Sequence, residues 1–357
     1  MAVWKFAATF PLAVGASPLL VFLHIVKTGG TAMEHFLHRV HGDAHCSLRP
    51  KDLSLHDRTV SHHDYAEVWS RNSASLLARC AVISGEFDSS FVDVLRSSTN
   101  RTVVPFTLLR DPLERVVSWY SMKLHDLRAD RRREACLWPH DDAARVLANG
   151  TAADFLEVLT SPRARSTCLS EEAIACCLRA GSVPRKCMEG GLCGQGRNLA
   201  TLVLAGVDEA SVSPFDGDTL CRTSAARGVT RAAMQIDSLG GEALLARAAH
   251  NMRRLAFVGF TSDLPSAQCA YLDIALNATT EPAQRQAISS LRQHDNCQAA
   301  AATPRDAPHK YAAELPVDLR DRILEYNRLD VQLYRLARDE AALKPNLRGR
   351  SRYRYRA

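Results

Sequence analysis

The chain has 357 residues, 46% of them hydrophobic and 24% charged, which are globular values that exclude disordered, collagen-like and multi-span membrane classes. The formal charge of +6 belongs to one end: Lys344 to Ala357 holds six basic residues and no acid, and the remainder carries 39 charges of each sign. Attraction to polyanions through net charge is therefore a property of this tail, and the charges of any site in the body have to be found one by one.

Phe6 to Val26 is largely apolar but contains Pro11, Ser17, Pro18 and His24, which argues against a full membrane span. Residues 1–18 read either as a signal peptide, with Lys5 as its charged start and Val14-Gly15-Ala16 as a small-residue end, or as the remnant of a membrane anchor. Leu19 to Ile25 is an apolar run of strand length, followed by Lys27-Thr28-Gly29-Gly30-Thr31 and a helical pattern through Met33, Phe36, Leu37 and Val40. The pattern predicts strand, glycine loop, helix. Ala81-Val82-Ile83 is a second short strand, ending at Ser84-Gly85-Glu86-Phe87, and Val103 to Leu109 is a third, ending at Arg110-Asp111-Pro112. Asp111 suits a helix N-cap and Pro112 the first helical position, so a helix follows through Val116, Val117 and Tyr120. Leu255 to Phe260 predicts a fourth strand and Leu264 to Leu276 a helix. From Val317 onward Leu319, Ile323, Tyr326, Leu333 and Leu336 form a helical apolar stripe.

Strands alternating with helices imply a mostly parallel sheet that binds ligands outside the carboxyl ends of its strands. The fold class expected is α/β: a parallel sheet flanked by helices, like that of the P-loop nucleotide-binding proteins, with a cysteine-rich insertion. The main domain is expected over 19–343, the insertion over 128–250 and a basic tail over 344–357. Seven of the eleven cysteines fall between Cys136 and Cys221. Sequons at Asn100, Asn149 and Asn277 accompany them, and together these features point to disulfides formed in an oxidising secretory lumen. The odd count leaves at least one thiol unpaired within the monomer.

A two-glycine loop between a buried strand and a helix presents backbone N–H groups at the positive end of a helix dipole, an arrangement suited to phosphate. Lys27 adds a mobile positive charge, and Thr28 and Thr31 add hydroxyls. The nucleotide-triphosphatase loop places its lysine after the last glycine, whereas here the lysine precedes the pair, which disfavours an ATPase. A plain strand-to-helix turn with a solvated lysine would read the same way in isolation. The cluster Arg110-Asp-Pro-Leu-Glu-Arg115-Val-Val-Ser118-Trp-Tyr120 adds a second anion site. Arg110 stands at a strand end with a guanidinium able to grip an oxyanion in a two-pronged manner. Ser118 lies two turns into the helix, on a face shared with Asp111 and Arg115. The competing structural reading pairs Glu114 and Arg115 as solvated helix charges.

Together, His24-Ile-Val-Lys27-Thr28-Gly29-Gly30-Thr31 and Arg110 to Tyr120 resemble the two cofactor signatures of the Golgi carbohydrate sulfotransferases, nearest to the heparan sulfate 2-O- and 6-O-sulfotransferases. Weaker echoes are Asn198-Leu-Ala-Thr201 with Leu204-Ala-Gly206, Ala256-Phe-Val-Gly259-Phe-Thr261, and Tyr326-Asn327-Arg-Leu-Asp330-Val-Gln-Leu-Tyr334. Val26 departs from a usual proline and Ala32 from a frequent serine. The resemblance implies a site for 3'-phosphoadenosine 5'-phosphosulfate. Lys27, Thr28, Gly29, Gly30, Thr31 and Ala32 would hold the 5'-phosphosulfate, and Arg110 and Ser118 the 3'-phosphate. Lys27 would also balance charge on the bridging oxygen. Related enzymes often carry a Gly-His where this chain has Gly85-Glu86, so a partly buried Glu86 is the first choice as base. His62 and His63 are the alternatives. No metal is implied.

The function expected is sulfuryl transfer to a hydroxyl of a glycan, a polysaccharide or a glycoprotein glycan, in the Golgi lumen, with membrane association through an N-terminal anchor. The rivals are a P-loop phosphotransferase, which lacks a convincing acidic metal motif here, and a non-catalytic polyanion- or glycan-binding protein. Arg128 to Arg133 could line an acidic-glycan groove or be a solvated helix end. Nucleic acid is not an expected partner, because arginines without a folded motif are weak grounds for it.

Overall fold

A computed structural model describes residues 17–48, 76–129, 198–206, 241–279, 281–294, 297 and 310–343. Residues 1–16, His62, His63, most of the cysteine-rich stretch and the basic tail lie outside these. Five strands form one sheet in the order β2-β3-β1-β4-β5, built from β1 (Leu19–Leu23), β2 (His45–Ser47), β3 (Val82–Gly85), β4 (Val103–Leu109) and β5 (Phe257–Phe260). Every pairing is parallel. Helix α1 (Gly30–His41) links β1 to β2, α2 (Ser89–Ser98) links β3 to β4, and α3 (Pro112–Ala129) follows β4.

Both faces of the sheet are covered, which is why β1 and β4 read as unbroken apolar runs. Leu19, Val21, Leu23 and Ile83 point into one core, and Leu20, Phe22, Val82, Val104, Phe106 and Leu108 into the other. The period of two in a strand produces this division directly. Helix α1 and α6 (Leu264–Ala278) cover the second face, through Met33, Phe36, Leu37, Tyr271 and Leu272. The first face packs α2, α4 (Leu199–Ala205), α5 (Gly241–Arg253) and α10 (Arg328–Leu343). Helices α7 (Pro282–His294), α8 (Lys310–Ala313) and α9 (Val317–Tyr326) complete the described chain.

Four points correct the sequence-based expectation. Strand β2 has three residues, too few for a periodic signal. The fourth strand begins at Phe257 rather than Leu255. The stripe from Val317 is two helices, broken at Asn327. Within the stretch 128–250, Leu199, Leu202, Leu204, Leu244, Ala248 and Met252 belong to the main core, so α4 and α5 are part of the domain rather than an insertion over it. Disulfides Cys46–Cys80 and Cys269–Cys297 are formed, the first pinning β2 to the residues that enter β3. No described helix is long and apolar enough to cross a membrane.

Candidate anion-binding site

In this strand order the connection after β1 runs toward β2 and the connection after β4 runs toward β5, so the two leave in opposite directions. The crevice at such a divergence is where open parallel sheets bind ligands. The loop from Val26 to Gly29 and the Arg110 segment lie on its two sides.

The loop is tightly wound. Lys27 has φ +67° and Gly29 φ +84°; the first is a left-handed conformation that costs a non-glycine residue about 1–2 kcal/mol. Gly30, the first residue of α1, has a different constraint: a Cβ there would sit 1.9 Å from Nε2 of His24. The imidazole occupies the space that a side chain would need. Three side-chain hydrogen bonds hold the loop down. The Thr28 hydroxyl donates to the Ile25 carbonyl at 2.7 Å, the Thr261 hydroxyl lies 2.6 Å from the Thr28 carbonyl, and Nη1 of Arg110 donates to the Lys27 carbonyl at 3.3 Å. Thr261, at the carboxyl end of β5, thus ties the ends of three strands together, since its hydroxyl is also 3.2 Å from the Leu109 carbonyl.

These contacts redistribute the roles expected from sequence. Thr28 is fully buried, and both its hydroxyl and its backbone N–H donate to the Ile25 carbonyl; this corrects the expectation of a ligand-facing hydroxyl. Lys27 is half-buried, and Thr31 and Ala32 are exposed at the start of α1. Arg110 is not the free guanidinium expected: besides the Lys27 carbonyl, Nε meets the Glu114 carboxylate at 3.5 Å. Among the described residues its Nη2 has no partner. Asp111 caps α3 as expected, accepting from the N–H groups of Leu113 and Glu114. Burial and the neighbouring Glu114 charge nevertheless push its carboxyl above the usual carboxylate range.

Ser118 is half-buried on α3. Arg115 departs from both sequence readings. It is 1% exposed, points into the core, and meets the Asp330 carboxylate at 3.4 Å and Oδ1 of Asn327 at 3.5 Å. It is neither a solvated helix charge nor a ligand-facing neighbour of Ser118. Glu86 follows β3 directly, beyond the Leu23–Gly85 register pair, and is exposed rather than partly buried.

Two groups in this region carried no role in the sequence reading. His24, directly after β1, places Nδ1 3.3 Å from Oε1 of Glu34. Glu34 is 4% exposed and also accepts from the Ser84 hydroxyl at 3.3 Å, which lies 2.8 Å from Nε2 of His45. The signal available in sequence was the i, i+4 spacing of Gly30 and Glu34 on α1, which puts a carboxylate one turn below the loop. That His24 lies along the same line is visible only in the fold.

Fold and site together define a parallel α/β protein with a P-loop-like glycine loop at the β1/β4 crevice. The model of the sulfotransferase family matches residues 13–172, a span that includes both the Lys27 loop and the Arg110 segment and supports a place for this chain in a sulfotransferase family. No curated protein matches the chain.

Proposed function

We propose that the protein transfers the sulfuryl group of 3'-phosphoadenosine 5'-phosphosulfate to a hydroxyl of a glycan. The observation that carries this reading is the contact of Arg110 with the Lys27 carbonyl, which joins two anion-binding motifs, one after β1 and one after β4, across a single crevice. A donor with separated anionic groups is the ligand such a crevice suits. The match to the sulfotransferase family over the same two motifs favours a sulfate donor over a nucleoside triphosphate.

In this reading Lys27 to Ala32 hold the 5'-phosphosulfate through backbone N–H groups and the Lys27 ammonium, and Arg110 and Ser118 hold the 3'-phosphate. Sulfuryl transfer makes the demands of phosphoryl transfer: an in-line nucleophile and compensation of charge on the leaving side. The acceptor oxygen forms the new bond to sulfur while the bond from sulfur to the bridging oxygen breaks, releasing adenosine 3',5'-bisphosphate. The acceptor proton passes to a base. Glu86 at the end of β3 is the first candidate, with His62 and His63 as alternatives outside the described residues. No metal is assigned a role.

The acceptor is proposed to be a polysaccharide and the compartment the Golgi lumen, with attachment to the membrane through an N-terminal anchor. Two disulfides and the exposure of Asn100 and Asn277 in two of the sequons support a secretory setting. Incubation of the purified protein with sulfur-labelled donor and a panel of desulfated polysaccharides tests the proposal. A labelled ester dependent on protein and acceptor is expected, and absence of label across the panel overturns it.

A further inference from the structure

We infer that His24 is a ligand-facing member of the anion loop, and that it binds the anion as imidazolium, held in position by the buried carboxylate of Glu34. This deepens the donor-site reading above and rests on it.

The geometry fixes the ring from three sides. Phe22 stacks on it with centroids 5.8 Å apart and planes inclined by 13°. Glu34 holds Nδ1, and Gly30 makes room for the Cδ2–Nε2 edge. The His24 side chain is 10% exposed, and among the described residues Nε2 has no hydrogen-bond partner. A nine-tenths-buried imidazole therefore presents one unpartnered nitrogen to the first residue of α1, where backbone N–H groups already face the crevice.

The protonation follows from the hydrogen bond. A carboxylate only accepts, so Nδ1 carries the proton shared with Glu34, and Nε2 of the neutral ring is a lone pair. A lone pair aimed at an incoming phosphate or sulfate oxygen repels it. A second proton turns the same nitrogen into a charge-assisted donor, which meets the anion while Nδ1 stays on Glu34.

Titration calorimetry with adenosine 3',5'-bisphosphate measures the affinity of the intact protein and its variants. His24→Gln is expected to bind about tenfold more weakly, as for loss of one charge-assisted bond. Glu34→Gln is expected to weaken binding in the intact chain but to add nothing to the loss already present in His24→Gln, as for a residue that acts through the ring. A purely structural carboxylate would add its loss to both. Long-range proton–nitrogen correlation spectra of the intact protein give an independent reading: the His24 nitrogens are expected to move to imidazolium values when the bisphosphate is added. A His24→Gln protein that binds as tightly as the intact one, or a His24 that stays neutral in the complex, overturns the inference and leaves the donor site standing. Failure of the intact protein to bind the bisphosphate overturns the donor reading, and this inference with it.

Discussion

Two polar regions of the molecule look alike in sequence and behave differently in the fold. The anion loop and Arg110 stand at the open ends of the strands. The Arg110 and His24 side chains have few contacts with the rest of the chain: 3.3 Å and 3.5 Å for Arg110, and Nδ1 alone for the His24 hydrogen bond. The second region, Asn198, Thr201, Arg115, Asn327 and Asp330, is buried and used internally. Asp330 on α10 accepts from the N–H groups of Ala200 and Thr201 and from the Thr201 hydroxyl. Asn198 in turn accepts from the N–H groups of Leu329 and Asp330. Each residue serves the first turn of the other's helix, satisfying donors that a helix start leaves unpaired. A buried polar motif spent on helix starts builds the fold; one that keeps unpartnered nitrogens at an open crevice is available for chemistry.

The largest expected effect lies in the clamp. Asp330→Ala removes the acceptor of three hydrogen bonds and a carboxylate that faces the buried Arg115 charge, a change that costs about 3–5 kcal/mol. Denaturant unfolding should show this as a lower midpoint, with donor affinity per folded molecule unchanged. A loss of affinity at full stability would erase the distinction between the two regions.

Lys27→Gly is the counterpart in the loop. On the proposed donor reading, removal of the Lys27 ammonium is expected to lower turnover about 10²–10³-fold, the range seen for loss of one stabilising donor. Glycine also relieves the left-handed conformation of Lys27, so stability should be unchanged or higher by up to about 1 kcal/mol. Turnover assays beside denaturant curves on the same preparation check both signs. A destabilised Lys27→Gly would mean that the loop, like the clamp, is held together by its own polar contacts.

What sequence revealed and what it hid follow this division. Strand β1, its glycine loop and α1 were legible because the apolar run, the glycines and the spacing of Met33, Phe36 and Leu37 are all local. The Asp111–Pro112 helix start was legible for the same reason. The segments around Asn198 and Asp330 registered only as echoes of a family pattern, because their meaning is a mutual contact across a separation of about 130 residues. Arg115 was misjudged because helical spacing says which residues share a face but not whether that face meets solvent or core. The His24–Glu34–Ser84–His45 line was hidden by the sheet. It needs β1, β2 and β3 side by side in parallel register, and Glu34 alone, on an amphipathic helix, reads as a solvated charge.

A third polar cluster, at the far end of α1 from the glycine loop, sharpens the comparison with an effect that vanishes at neutral pH. His41, in the last turn of α1, is bonded through Nε2 to the Tyr271 hydroxyl, and its Nδ1 is buried without a partner. Burial, reinforced by the nearby His45 charge, lowers its pKa from 6.5 to about 3. The folded state therefore keeps His41 neutral over a range in which the unfolded chain takes up a proton. The stability tied to that neutrality is fully present above pH 6.5 and is lost progressively as pH falls toward 3. His41→Phe should flatten this part of the stability–pH curve while leaving stability at pH 7.5 lower only by the Tyr271 bond, about 1 kcal/mol. Unfolding midpoints of the two proteins from pH 7.5 to 4 make the test. Because this cluster is internally used, the same substitution should leave bisphosphate affinity at pH 7.5 untouched. A change in that affinity would mean that His41 communicates with His24, and the boundary between fold-building and ligand-facing polar groups would have to be redrawn along α1.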